Sequence, residues 1–189
     1  MELRLDAEHR YWLGAERLPG VTDILHDVGI VDYSMIAEEP LEAARHRGHL
    51  IHLATELDDR GVLDESVAAD VMPYVEGWRK FRRDWSFTPT NREEKCHHPI
   101  HYFAGTLDAE DDRLLVDIKH GKPQTWVRWQ LAAYMSMRPK VKRRVCVHLT
   151  GDGNYRPYPF EVATYRTDLD VFLAALTVYR ARRMEKNLR

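Results

Sequence analysis

One short stretch constrains this chain more than any other: GTLDAEDDRLLVDIKHGK, residues 105 to 122. Two apolar-leaning runs flank an acidic turn, the signature of a β-hairpin. Yet Asp108, Asp117 and Lys119 stand where apolar residues belong. With Asp111 and Asp112 as a two-residue turn, Glu110 is expected to face Arg113, Asp108 to face Leu115 and Thr106 to face Asp117. Asp108 and Asp117 then share a face as diagonal neighbours, about 7–8 Å apart at the backbone. Lys119, two residues beyond Asp117, lies on that face too. Leu107, Leu114, Val116 and Ile118 make up the opposite, core-facing side. The reading requires an even-numbered loop, because an odd one sends the two aspartates to opposite faces.

Two carboxylates about 4 Å apart repel by about 4 kcal/mol at an effective dielectric near 20. Chains avoid that arrangement or use it to hold a divalent cation. A lysine beside them can orient a nucleophile or stabilise a developing oxyanion. The hairpin alone equally fits a solvent-facing turn carrying an ordinary surface ion pair. Neighbouring segments bear on the choice. Glu93 and Glu94 on the preceding strand each offer another carboxylate. Gly105 is small where a ligand or backbone could approach. Gln130 and Tyr134 stand four apart on one helix face, as do His52 and Glu56 on another, a spacing able to address one metal or phosphate.

With 189 residues, 44% of them hydrophobic and 31% charged, the chain is expected to be one soluble domain over residues 1–189. No run approaches the roughly 18 apolar residues of a membrane span, and MELRLDAEHR lacks a signal peptide's apolar stretch. Cys96 and Cys146 are the only pair able to form a disulfide, so a cytoplasmic location is expected. The net charge of −2 excludes a general polycation. Basic runs at 138–144 and 179–189 can still attract phosphates locally or form solvated faces.

The spacing of apolar residues predicts a short N-terminal hairpin turning at Gly14, then a helix capped by Thr22 and stopped near Gly29. A second helix is expected from Pro40 to Gly61, and a third from a Ser66 cap through Trp85 with a kink at Pro73. Strands follow at about 92–98, 101–109 and 113–119, then a helix ending before Pro139, a second hairpin around GDGN, and a last helix from Thr167. This order predicts an α/β fold in which a central mixed sheet is flanked by helices.

Taken together, RGHLIH (47–52), the glutamate of REEKCHHP, AGTLD (104–108), VDIKHGK (116–122) and QLAAY (130–134) resemble the PD-(D/E)XK nucleases, in particular the RecB-like and phage-type exonuclease branch. The likeness spans roughly residues 20 to 150 in the family's order. It implies a restriction-endonuclease-like core with an N-terminal helical elaboration, and a metal-dependent DNA exonuclease of phage-type recombination, repair or processing. By resemblance, Asp108 and Asp117 hold Mg²⁺ or Mn²⁺ with the Ile118 carbonyl, and His52 is a further metal contact. Lys119 positions the attacking water, while Gln130 and Tyr134 steady DNA or the site. The family glutamate falls on Glu93 or Glu94, with Glu93 preferred from its offset to Cys96. The second acidic position is Asp rather than the commoner Glu, and His120 replaces a frequent threonine without an evident role. DNA ends are the implied partner. Processive relatives enclose DNA as oligomeric rings, so the implied assemblies include a homo-oligomer. A catalytically silent DNA-binding protein and an endonuclease on the same fold are the competing readings.

Three tempting features are set aside. CHHPIH carries zinc-type ligands, but successive strand residues point to opposite faces. Trp78, Trp85, Trp126 and Trp129 could stack on bases, yet their helical spacing fits a core. GDGN is too short for a calcium loop.

Overall fold

The computed structural model describes residues 2–66 and 68–187. The expected α/β architecture is the one observed: a five-stranded mixed sheet with helices on both faces. A small antiparallel sheet of β1 (Leu3–Leu5), β2 (Tyr11–Leu13) and β3 (Glu16–Leu18) precedes it. Gly14 turns β2 into β3 with φ of 62°, where glycine carries little steric cost. Helices α1 (Val21–Asp27) and α2 (Glu38–Asp59) follow, then a 3₁₀ turn and α3 (Met72–Asp84). Strands β4 (Asn91–His97), β5 (Ala104–Glu110) and β6 (Leu114–Lys119) lead into α4 (Val127–Ser136). Strands β7 (Arg143–Leu149) and β8 (Tyr155–Phe160) and helix α5 (Tyr165–Asn187) complete the chain.

The large sheet runs in sequence order from β4 to β8. Among the described strands of this sheet, only β6 and β7 pair in parallel, with α4 as the crossover that parallel neighbours require. Helices α1, α4 and α5 cover one face through Leu25, Leu131 and Phe172. On the other, α2 and α3 bury Ile51, Trp78 and Phe81 against Val116, Ile118 and Val147. β8 is an edge strand, and its exposed Pro157 and Pro159 discourage further pairing.

Several expectations about element ends are corrected. Thr22 lies inside α1, whose N-cap is Gly20, because the chain enters the helix directly from a bridge between Gly20 and Ala104. Gly29, with φ of 83°, does end the helix as expected. α2 begins at Glu38, two residues before Pro40; a first-turn proline has no helical N–H to forfeit. Ser66 binds Asp64 rather than capping a helix, and Val67 next to it lies outside the described residues. Pro73 sits in the first turn of α3 and does not kink it. The basic C-terminal run also extends beyond the described residues at Leu188 and Arg189.

Much of the remaining basic charge is spent internally. Arg138 pairs with Glu94 and Glu110, and the buried Arg144 pairs with Asp168, which also binds Arg128. In the C-terminal run, Arg180 bonds the His101 carbonyl. Trp78 and Trp126 are buried, while Trp85 and Trp129 pack partly buried against the two cores. No described helix is long and apolar enough to cross a membrane.

Candidate active site

The hairpin forms two residues away from the expected register. Ala109 pairs with Val116 and Glu110 with Leu115, and the Asp111 N–H donates to the Leu114 carbonyl. Asp112 and Arg113 therefore occupy the turn. Asp111 caps it by accepting from the Arg113 and Leu114 N–H groups, an Asx-turn geometry that the expected Asp111–Asp112 turn overlooked. A shift of two residues leaves side-chain faces unchanged, and in this register Asp108 stands across from Asp117.

Beyond Ala109–Val116 the two strands part. The Asp108 carboxylate enters the gap, its Oδ2 accepting from the Ile118 N–H at 2.6 Å. β4 yields at the same level. Arg92 pairs with Ala109 and Glu94 with Leu107, but the intervening Glu93 makes no ladder pair and has φ of 45°. A non-glycine residue held in that region is strained, and such strain concentrates at functional sites.

Side-chain faces reverse across this point in both strands. Leu107 packs with Leu115 under α4, whereas Ala109 packs with Val116 under α2 and α3. Glu94 reaches Arg138, whereas Arg92 reaches Asp59 of α2. The expectation that Leu107 shares a side with Leu114, Val116 and Ile118 is thus corrected, because simple alternation breaks at Glu93 and Asp108.

That break gathers the charged groups. His52 projects from α2, its Nδ1 lying 3.2 Å from Glu93 Oε1 and 3.6 Å from Asp108 Oδ1. Ligand atoms of His52, Glu93 and Asp108 all lie within 4.8 Å of one another, a spacing that can hold a metal ion. Two carboxylates and an imidazole suit a divalent first-row cation, and the carboxylates also suit Mg²⁺. Of the two candidate glutamates, Glu93 belongs to this group; Glu94 is taken up by Arg138.

Asp117 is 1% exposed and lies outside the trio, with Lys119 Nζ 2.8 Å from its carboxylate. Lys119 is 24% exposed and opens onto a cleft of about 970 Å³, together with His52 and Ile118. Gln130 also lines the cleft; its Nε2 donates to the Tyr134 hydroxyl at 3.0 Å. Both side chains are buried, and the Gln130 Oε1 has no partner. Gly105 does not admit a ligand, because the Tyr134 ring fills the space above it and would meet any Cβ there.

Electrostatics tie these groups together. Burial pushes the Asp117 carboxyl up to about 6; Lys119 opposes the shift and the Asp108 charge adds to it. Burial raises Asp108 as well, against His52 and Lys119. Burial disfavours a charged His52, yet Asp108 and Glu93 outweigh it and lift the imidazole to about 9. Lys119 is likewise raised, Asp117 and Asp108 overcoming burial. Buried carboxylates that resist ionisation mark a site where an added cation relieves repulsion.

Outside the trio, no cluster of three His, Cys, Asp or Glu side chains with metal-holding spacing occurs among the described residues. In CHHPIH, His98 Nδ1 instead accepts from the Ile100 and His101 N–H groups, closing a turn. Sequence reasoning missed the cleft's exposed cations Arg45, Arg47 and Lys122, as well as His148 beside Lys119 on β7. The helical run of 45–52 carried a signal for Arg45, which lies two turns before His52.

No family model matches the chain, and no curated protein matches it in sequence. Among solved structures it is similar to an alkaline exonuclease, LHK-Exo, from Laribacter hongkongensis. That match has 20% identity and a TM-score of 0.39 over 60% of this chain and 70% of the other. A structure of LHK-Exo in complex with dAMP aligns over 91% of this chain and 95% of that one, at 14% identity and a TM-score of 0.36.

Proposed function

We propose that the chain is a Mg²⁺- or Mn²⁺-dependent deoxyribonuclease, an exonuclease hydrolysing phosphodiester bonds at DNA ends in phage-type recombination, repair or processing. The observation that carries this reading is the convergence of His52, Glu93 and Asp108 beside the Asp117–Lys119 pair, at a cleft edged by exposed Arg45, Arg47 and Lys122. Clustered cations at a cleft suit a phosphate backbone, while the carboxylates beside His52 and Lys119 suit a cation rather than DNA itself.

Asp108, Glu93 and His52 are the groups that would hold the cation, with Asp117 and the Ile118 carbonyl as the further ligands the motif resemblance implies. A divalent cation bound there supplies Lewis acidity to the scissile phosphate. Lys119 keeps its proton through the neutral range and offers positive charge where an oxygen gains negative charge during attack. Gln130 and Tyr134, bonded to each other, brace the wall of the cleft behind that position. Asp108 holds the parted strands through Ile118 N–H, so the backbone carrying Asp117 and Lys119 stays fixed.

The test is cleavage of end-labelled linear duplex, linear single strand and covalently closed circular DNA, with Mg²⁺, Mn²⁺ or EDTA. Divalent-dependent loss of linear DNA with survival of the circle is expected. Cutting of the closed circle would establish an endonuclease instead. Intact linear DNA under all metal conditions would overturn the enzymatic reading.

A further inference from the structure

His120 follows the site lysine, and its ring leans on the inner stripe of α2. A Cβ built on Gly48 would stand 2.9 Å from His120 Nε2, so the imidazole occupies space that any other residue at 48 would fill. The Ala44 backbone, one turn earlier, is a hydrogen-bonding partner of the same ring. Tyr74 of α3 meets it edge-on with centroids 6.4 Å apart. One turn beyond Gly48 on that stripe is His52. The ring therefore spans from the end of β6, which carries Lys119, to the helix that carries His52. Gly48 and His120 both line the cleft.

We propose that His120 is a positioning residue, seated in the notch left by Gly48, which sets the spacing between His52 on α2 and the Asp117–Lys119 end of β6. This rests on the reading of that cluster as a divalent-cation site. The need for glycine at 48 follows directly: a methyl group there collides with the far end of a side chain, so the imidazole yields and the brace is lost while the helix stays in place. Gly48→Ala and His120→Ala thus damage the same device by opposite routes. Alanine is also the better helix former, so Gly48→Ala has no reason to lower the melting temperature.

The experiment measures Mn²⁺ binding to the full chain by electron paramagnetic resonance of the free ion, alongside cleavage rates and thermal melting. Each single variant is expected to weaken Mn²⁺ binding about tenfold and to lower kcat with little change in KM for DNA. The double variant is expected to be no worse than either single one, because residues acting as one unit are not additive. Gly48→Ala is expected to melt no lower than the parent. Losses that multiply to about a hundredfold in the double variant would overturn the proposal, as would unchanged Mn²⁺ binding in both single variants. A parent chain that binds no Mn²⁺ would instead overturn the cation-site reading beneath it.

Discussion

Glu93 of β4 and Asp108 of β5 face each other at the one register position where the β4–β5 ladder is interrupted, and His52 of α2 closes on both carboxylates. The backbone there is turned out of the sheet, with Glu93 at φ 45° and Asp108 accepting from β6. The strain is local, and it sets three ligand-type side chains around one point.

This arrangement separates the two neighbouring glutamates. Glu93→Gln is expected to reduce single-turnover DNA cleavage by about a hundredfold, the scale of losing one charged group from a reacting centre. Glu94→Gln, which removes only a partner of Arg138, is expected to change it less than about threefold. Equal losses in single-turnover assays would show that the glutamates do not divide in this way.

The buried Asp117 pairs with the partly exposed Lys119, which opens onto the cleft. Replacing either with alanine is expected to lower kcat by about a thousandfold while DNA binding stays within a few fold of the parent. Fluorescence anisotropy with labelled DNA, run beside cleavage assays, distinguishes the two effects. Loss of binding in parallel with cleavage would assign the pair to DNA recognition.

Stability without metal is expected to fall as pH rises above 6.5. His52 has a folded pKa of about 9 against an ordinary 6.5, so its contribution is complete below 6.5 and is lost as pH climbs through 9. Asp117, raised from 3.8 to about 6, acts in the same sense at lower pH: its buried carboxyl favours folding while protonated, and that gain fades through pH 6. Above pH 6.5 the lowered pKa values of His98, His120 and His148 no longer oppose this trend, so melting temperatures between pH 6.5 and 9.5 in EDTA should decline, and His52→Gln should flatten that decline. Because a cation competes with the His52 proton, Mn²⁺ affinity is expected to rise with pH up to about 9.

Far from the site, Asp168 joins α5 to Arg144 of β7 and Arg128 of α4. Arg144 is almost fully buried, so Asp168→Ala strands a cation in the interior. The expected cost is about 3–5 kcal/mol in urea unfolding, with cleavage by the folded fraction unchanged. A cost below about 1 kcal/mol would mean that solvent reaches Arg144 when its partner is removed.

The order of strands and helices along the chain was legible because apolar periodicity is a local property, and the D-x-K spacing put Asp117 and Lys119 two apart on one strand for the same reason. Sequence reasoning misplaced the Asp111–Asp112 turn, since the Asp111 side chain competes with the backbone to choose which residues turn. Alternation could not reveal the reversal of faces at Glu93 and Asp108, because that break depends on three strands and α2 meeting. The role of Gly105 was also misread: only packing shows that Tyr134 fills the space above it. His120 and Gly48 are 72 residues apart, and no spacing rule connects them.

The most direct measurement of the central claim is the anomalous difference density of crystals soaked in Mn²⁺. A peak bounded by the carboxylates of Asp108 and Glu93 and the imidazole of His52 is the expected result. Soaked crystals with these three side chains still paired to one another and no peak among them would contradict the claim.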